Sequence, residues 1–277
     1  MGLLGFEFEP PLPDLTAVDD NPGILLCLLY ESSVAPVVST AQVRNAIDVG
    51  HKGESGYVGH DANAIRSLFP RIQLLRATQP LDQDSVWRVF LRLCAFECGQ
   101  GGSWIEDELS SELVALTDLN VPELPYRALC RSMFDLDPRG LFMALYRCVE
   151  ATYAYESCRK LVEALGVSKA WQDLAGALEK EIGWHPAEAA SLNLILQHAH
   201  SADLEQLCEC LNAEFGADLV IRTGRAIYGL RNRIVHYRLG MQTVDVEQYD
   251  WNRICVCLIR VVYSIFARVH LSPSTPT

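Results

Sequence analysis

The sequence predicts a mostly α-helical protein whose C-terminal half is an up-and-down helical bundle. Apolar residues recur beyond Asp137 at the spacing of one helix face, namely at Leu141, Leu145, Val149 and Tyr153. Short stretches that carry Gly, Ser or Pro separate the segments with this pattern. Hydrophobic residues make up 49% of the chain and charged residues 21%, which is typical of a soluble globular protein. We therefore expect short connections between helices that share one core.

The first half also favours helices, with less regular punctuation. Its first ~20 residues are rich in Pro and acidic residues, which favours an irregular arm. The apolar run PGILLCLLYESS fits either a helix or a buried strand. Ser39 and Gln42 form a capping-box pattern that predicts a helix start. The segments DANAIRSLF and DSVWRVFLRLCAFE each begin with Asp and continue at helical spacing, and GQGGS interrupts the chain after them.

The stretch NVPELPYRALCRSMFDLDPRG holds three prolines and predicts a connection between two parts. We place a mainly helical N-terminal region at 1–125, without an assigned role, where sensing or partner binding would suit a regulated protein. The helical bundle follows at 138–270. Asp137 and Pro138 provide the cap and first position of its opening helix.

Charge is distributed unevenly along the chain. The formal net charge is −12, which argues against a general nucleic-acid binder. From residue 217 onward, however, the chain contains eight arginines and four acidic residues, which gives this segment a net charge of +4. A polyanion would be repelled by most of the surface and attracted to this segment.

Three features of the sequence predict the cellular compartment: the lack of a long apolar run, the lack of a signal pattern, and the positions of the cysteines. The sequence has no run of about 18 apolar residues, and its start lacks a basic, apolar signal pattern. Most of the ten cysteines lie inside apolar helical patterns, which favours reduced, buried thiols. We expect a cytoplasmic protein with no membrane contact.

The stretch YGLRNRIVHYRLG contains the strongest candidate functional residues in the chain. It belongs to a helical segment that runs from 217 to near Gly240, in which Ile227, Leu230 and Ile234 form the apolar stripe. Asn232 and His236 are four residues apart and are expected on one face, with Arg231 beside it. Gly224 and Gly229 each cost roughly 1 kcal/mol in a helix interior, which predicts close approach of a neighbouring segment.

The run RNRIVH resembles the Arg–Asn–x–x–x–His signature of HEPN domains, a helical-bundle family found in prokaryotic toxins and in antiphage and CRISPR-associated ribonucleases. Arg231, Asn232 and His236 match the three motif positions. The family's first long helix often carries a Tyr and a downstream Glu, which Tyr146 and Glu150 match loosely. The resemblance covers about 138–270 and leaves the first half unexplained.

The resemblance implies a metal-independent endoribonuclease that needs no cofactor. Arg231 and His236, with Asn232, are its expected catalytic residues, and Arg225, Arg233, Tyr237 and Arg238 are the expected substrate-binding residues. Histidine exchanges protons near neutral pH, as a general acid or base must. A guanidinium grips phosphate oxygens in two places. One copy supplies one Arg and one His, so the resemblance implies a composite site across a two-fold homodimer.

A regulated toxin or antiphage effector that acts on RNA is the leading interpretation, with a regulatory protein or activating ligand acting through 1–125. The alternative is a non-catalytic helical subunit of a defence or toxin–antitoxin complex, in which RNRIVH only packs or binds a partner. Inward burial of the motif against 1–137 would favour this alternative, and an open groove facing a second copy would favour the enzyme.

Two other candidate sites carry weaker signals. Arg44 and Asn45 precede His51 with a longer spacing, and Gly50 places that histidine at a helix end. A zinc site is conceivable among four residues in HAHSADLEQLCEC. Its two cysteines are separated by two positions on a helix and point about 200° apart, which disfavours a shared ion. We expect no metal.

Overall fold

A computed structural model describes residues 2–4, 15–18, 21–49, 55–56, 60, 62–78, 80–213, 216, 218–236 and 244–271. The protein is mostly α-helical, as predicted. The chain divides into two compact units: an N-terminal unit, Met1–Asp82, and a C-terminal unit, Gln83–Thr277.

The N-terminal unit combines short helices with a small sheet. Its helices are α1 (Pro22–Glu31), α2 (Thr40–Arg44) and α3 (Ala62–Arg66). Its strands are β1 (Gly2–Leu4), β2 (Leu15–Ala17) and β3 (Ile72–Ala77). The central strand β3 pairs antiparallel with both of the others.

Sequence expectations for this unit are met in part. The ambiguous apolar run forms α1, and its Leu25 and Leu29 pack with Ile72 and Leu74 of β3 in a small apolar core. The capping box at Ser39 is confirmed. The prediction of an irregular N-terminal arm was wrong for the part of the arm that the structure describes, because its residues form the strands β1 and β2.

All regular elements among the described residues of the C-terminal unit are helices. Its helices are α4 (Gln83–Glu97), α5 (Asp107–Thr117), α6 (Tyr126–Met133), α7 (Arg139–Glu150), α8 (Tyr155–Leu165), α9 (Trp171–Ile182), α10 (Glu188–Leu196), α11 (Ser201–Cys210), α12 (Leu219–Val235) and α13 (Trp251–Phe266). A π-helical turn at Cys98–Gly102 follows α4, where the Gly-rich break was expected, and another at Ala267–Leu271 extends α13.

One core joins all parts of this unit. The helix α13 packs against α5, α7 and α11, while α6 packs against both α4 and α7. The unit therefore begins at Gln83, earlier than the connection that the prolines suggested. Pro125 precedes α6 and Pro138 precedes α7, so these prolines mark helix starts inside one unit.

The central helix α13 is unusually apolar. Together with its π-helical extension it spans 21 residues, Trp251–Leu271, with a mean hydropathy of 1.8 in its most apolar window. It is long and apolar enough to cross a membrane, yet 61% of that window is buried inside the protein. Most of this apolar window therefore packs against other parts of the protein.

Candidate functional site

The helix α12 carries the motif, with a side-chain cap at its start and a buried apolar side. Asp218 caps it by accepting hydrogen bonds from the backbone N–H groups of Val220 and Ile221, at 3.0 and 3.3 Å. Ile227 and Leu230 are buried, as the apolar stripe predicted. Contacts with α7, α10 and α11 hold the helix in the unit.

Arg231 points inward to α7 and is held there by three neighbours. Its Nη2 lies 3.6 Å from Oε1 of Glu150, and its Nη1 donates a 3.0 Å hydrogen bond to Oδ1 of Asn232. Its guanidinium carbon lies 5.8 Å from the centre of the Tyr146 ring, within cation–π range. Only 18% of the Arg231 side chain is exposed. The guanidinium is therefore a fixed cation.

Tyr146 and Glu150 lie one helical turn apart on α7, so both side chains can contact the Arg231 guanidinium. Burial raises the pKa of the Glu150 carboxyl above its usual range, and the positive charge of Arg231 opposes that shift. Burial also raises the pKa of Tyr146, whose hydroxyl accepts a 3.0 Å hydrogen bond from Tyr153. The structure thus brings together Tyr146, Glu150 and Arg231, which the sequence linked only loosely.

His236 lies at the C-cap of α12 and is exposed. The helix ends at Val235, earlier than the expected position near Gly240, and His236 has extended backbone angles. Its backbone N–H donates a 3.0 Å hydrogen bond to the carbonyl oxygen of Asn232. Because the backbone leaves helical geometry at His236, helical spacing does not place its side chain on the Asn232 face. The Asn232 side chain contacts Arg231, so among the described contacts it orients the guanidinium.

The predicted substrate-binding residues have different surroundings. Arg225 is exposed on α12. Arg233 is also exposed, but its Nη2 donates a 2.8 Å hydrogen bond to the Tyr249 hydroxyl, and its guanidinium lies over that ring. Tyr237 and Arg238 lie outside the described residues. Arg225 is thus the described arginine of this set that projects from α12 without a described ion pair or hydrogen bond.

The two glycines of α12 differ. A Cβ on Gly224 would collide with Oδ1 of Asn193 on α10, so close approach of a neighbour is confirmed at this position. Around Gly229, no described atom outside its own helix backbone lies within 4 Å of such a Cβ, so the expected close approach was wrong there.

Two of the residues considered for a zinc site, His198 and Cys208, have other partners. Nε2 of His198 lies 2.9 Å from Oε1 of Glu156, and Sγ of Cys208 lies 3.0 Å from the Thr223 hydroxyl. Among the described residues, no group of three or more His, Cys, Asp or Glu side chains is placed to hold a metal ion.

The cysteines are free thiols, and most of them are buried. Burial raises the pKa of Cys148 to about 12, which keeps that thiol protonated and unreactive at neutral pH. The same holds for Cys94, Cys130 and Cys257, with pKa values raised to about 12 mainly by burial.

In the other candidate motif, Arg44 closes α2 and Asn45 begins a π-helical turn. His51 lies outside the described residues. Tyr153 and Tyr249 form hydrogen bonds with Tyr146 and Arg233, and neither tyrosine was predicted as a site residue. No local pattern marks either tyrosine, since both act through contacts with other elements.

Comparison with known proteins finds no matching family model, no matching curated protein and no matching solved structure. The chemistry of the site therefore rests on its residues and their geometry.

Proposed function

We propose that the C-terminal unit is a metal-independent endoribonuclease of HEPN type that acts as a homodimer. The observation that carries the proposal is the arrangement at the end of α12. Arg231 is a cation fixed by Asn232 and Glu150, and His236 is an exposed histidine five residues later, at the C-cap of the same helix. A regulated toxin or antiphage effector is the role that such an activity would serve.

RNA cleavage without a metal needs a proton acceptor, a proton donor and a positive charge. The 2′-OH loses its proton to a base, and its oxygen forms a bond to the adjacent phosphorus. The bond from phosphorus to the 5′-oxygen then breaks, and an acid protonates the leaving oxygen. His236 is the residue proposed for proton transfer. The guanidinium of Arg231 would stabilise the charge on the five-coordinate phosphorus centre.

A second copy would complete this set. One chain contributes one motif histidine, whereas in-line transfer benefits from both an acid and a base. A two-fold axis near the end of α12 would place two His236 side chains on one phosphate. Arg225, exposed on the same helix, would extend the positive surface along the RNA backbone.

A non-catalytic interaction subunit is the second candidate, and one observation favours it. Arg231 is only 18% exposed and already pairs with Glu150 within its own chain. A residue in such a position stabilises the packing of α12 on α7 whether or not RNA is bound. On this reading the exposed end of α12 binds a partner protein.

Expression toxicity and RNA cleavage separate the two candidates. We expect the intact chain to slow growth and to cleave cellular RNA, and His236→Ala and Arg231→Ala to abolish both effects. Cleavage in lysates should persist in EDTA. Toxicity that survives both substitutions would reject the proposed site, and a stable wild type that neither cleaves RNA nor slows growth would favour the interaction subunit.

A further inference from the structure

A cavity of about 460 Å³ lies next to the motif in the C-terminal unit. The end of α7, the helix α9 and the end of α13 with its extension contribute to its wall. Its volume is within the range of small-molecule sites, about 300–1,000 Å³. The proposed endoribonuclease chemistry makes no use of it.

Acidic residues dominate the charge of this cavity. Glu123, Glu150 and Glu179 are among its lining residues, and no Lys or Arg is found among the lining residues that the structure describes. Glu179 is 64% exposed, and its Oε1 lies 3.9 Å from Nδ1 of His185. Glu123 is 42% exposed and lies 3.5 Å from Nδ1 of His270. Three carboxylates in one concave surface create a negative potential that attracts cations.

Half of the cavity's lining residues are apolar, and Thr152, Gln172 and His270 are its uncharged or weakly basic polar members. Trp171 provides partly exposed aromatic surface. The His270 ring packs behind it, between Trp171 and the buried Phe266, with ring-centre distances of 5.9 and 5.1 Å. The small apolar lining residues are Ala151, Ala154, Ala175 and Pro186. Such a wall contacts methylene groups well, and the indole face of a tryptophan also attracts ammonium ions.

We propose that this cavity binds an aliphatic diamine or polyamine. Its ammonium groups would pair with the carboxylates, and its methylene chain would lie against the aromatic and small apolar residues. Three acidic residues in one cavity favour a ligand with more than one positive charge. This binding does not depend on ribonuclease activity.

Glu150 connects the cavity with the motif. It lines the cavity and also pairs with Arg231 at 3.6 Å. A bound ammonium group and the Arg231 guanidinium are therefore competitors for the same acidic residue. Binding of a polyamine would loosen the contact that holds Arg231 against α7.

Titration calorimetry on the full chain tests the proposal, with 1,4-diaminobutane as the probe and 1,4-butanediol as its uncharged analogue. We expect saturable binding of the diamine and none of the diol. Glu179→Gln should weaken the affinity about two- to fivefold, the effect of losing one partly exposed ion pair. The matched control is Glu181→Gln on the same helix, since Glu181 is 70% exposed and does not line the cavity.

Equal binding of the two probes, or equal affinities in Glu179→Gln and Glu181→Gln, would overturn the proposal. The link to the motif has its own test, because Arg231→Gln removes the competing cation. That variant, once shown to be folded by circular dichroism, should bind the diamine several-fold more tightly than the wild type. An unchanged or weaker affinity would overturn the link through Glu150.

Discussion

Replacing Arg231 with glutamine is expected to destabilise the C-terminal unit, because the Glu150 carboxylate on α7 loses the cation that pairs with it. In the wild type, Arg231 lies 3.6 Å from Glu150, with side-chain exposures of 18% and 29%. The substitution removes the cation and leaves a half-buried carboxylate. Burial already raises the pKa of Glu150, so this carboxylate depends on Arg231 for compensation.

The magnitude follows from distance and burial. Two unit charges at 3.6 Å attract by about 4–5 kcal/mol at an effective dielectric constant of about 20. Dehydration of both groups offsets much of this. Breaking a fully buried pair costs about 3–5 kcal/mol, and breaking an exposed pair costs about 0–1 kcal/mol. We expect about 2 kcal/mol for this partly buried pair, or a fall in Tm of about 4–8 °C.

The stability deficit of Arg231→Gln should depend on pH, because it comes from the ionised form of Glu150. Removing Arg231 raises the pKa of Glu150 further, and a raised pKa in the folded state costs stability as the pH rises above the unfolded value. The deficit of Arg231→Gln relative to the wild type should therefore be full at neutral pH. It should shrink as the pH falls towards 4.5, the ordinary glutamate value. Glu150→Gln in the Arg231→Gln background should restore much of the lost stability at neutral pH.

Urea denaturation of the single and double variants measures these differences. Arg253 and Glu209 provide the control, because they also lie 3.6 Å apart but are 57% and 70% exposed. Arg253→Gln should change the free energy of unfolding by less than about 0.5 kcal/mol. The reasoning is refuted if both arginine substitutions cost the same, or if Glu150→Gln rescues nothing.

Further predictions concern helix packing and pH. Gly224→Ala should cost about 1 kcal/mol, because Asn193 must move aside, whereas Gly229→Ala should stabilise by up to about 1 kcal/mol. Urea midpoints that shift in the same direction would contradict the packing. Burial opposes ionisation of Glu156, but hydrogen bonds from Arg159 and His198 outweigh it and lower its pKa. The wild type should therefore lose stability as the pH falls from about 5 to 3, and Glu156→Gln should lose less; parallel curves would contradict this.

Helices with a clear apolar period were predictable from the sequence, and the small sheet was not. The stripe of Ile227 and Leu230 is buried as expected, because one helix face must meet the core. The strands β1 and β2 have three residues each, too few to show alternation. Pro125 and Pro138 directly precede helices within one compact unit, so prolines alone do not mark a boundary between units.

The candidate site was predictable in its residues but not in its contacts. Arg231, Asn232 and His236 could be identified from the sequence because all three lie within one run of six residues. The contact of Arg231 with Glu150 joins two helices far apart in sequence, so only the fold reveals it. The end of α12 was also unpredictable, since the pattern before Gly240 contains no stop signal at Val235.

The most direct test of the proposed function is RNA cleavage by the purified full chain in EDTA, with His236→Ala compared with His200→Ala. Both histidines are exposed, and His200 is at the start of α11. We predict that the wild type and His200→Ala cleave at equal rates, and that His236→Ala cleaves at least about 100-fold more slowly, as expected for loss of a general acid or base. Equal cleavage by both variants, or loss of wild-type cleavage in EDTA, would contradict the account.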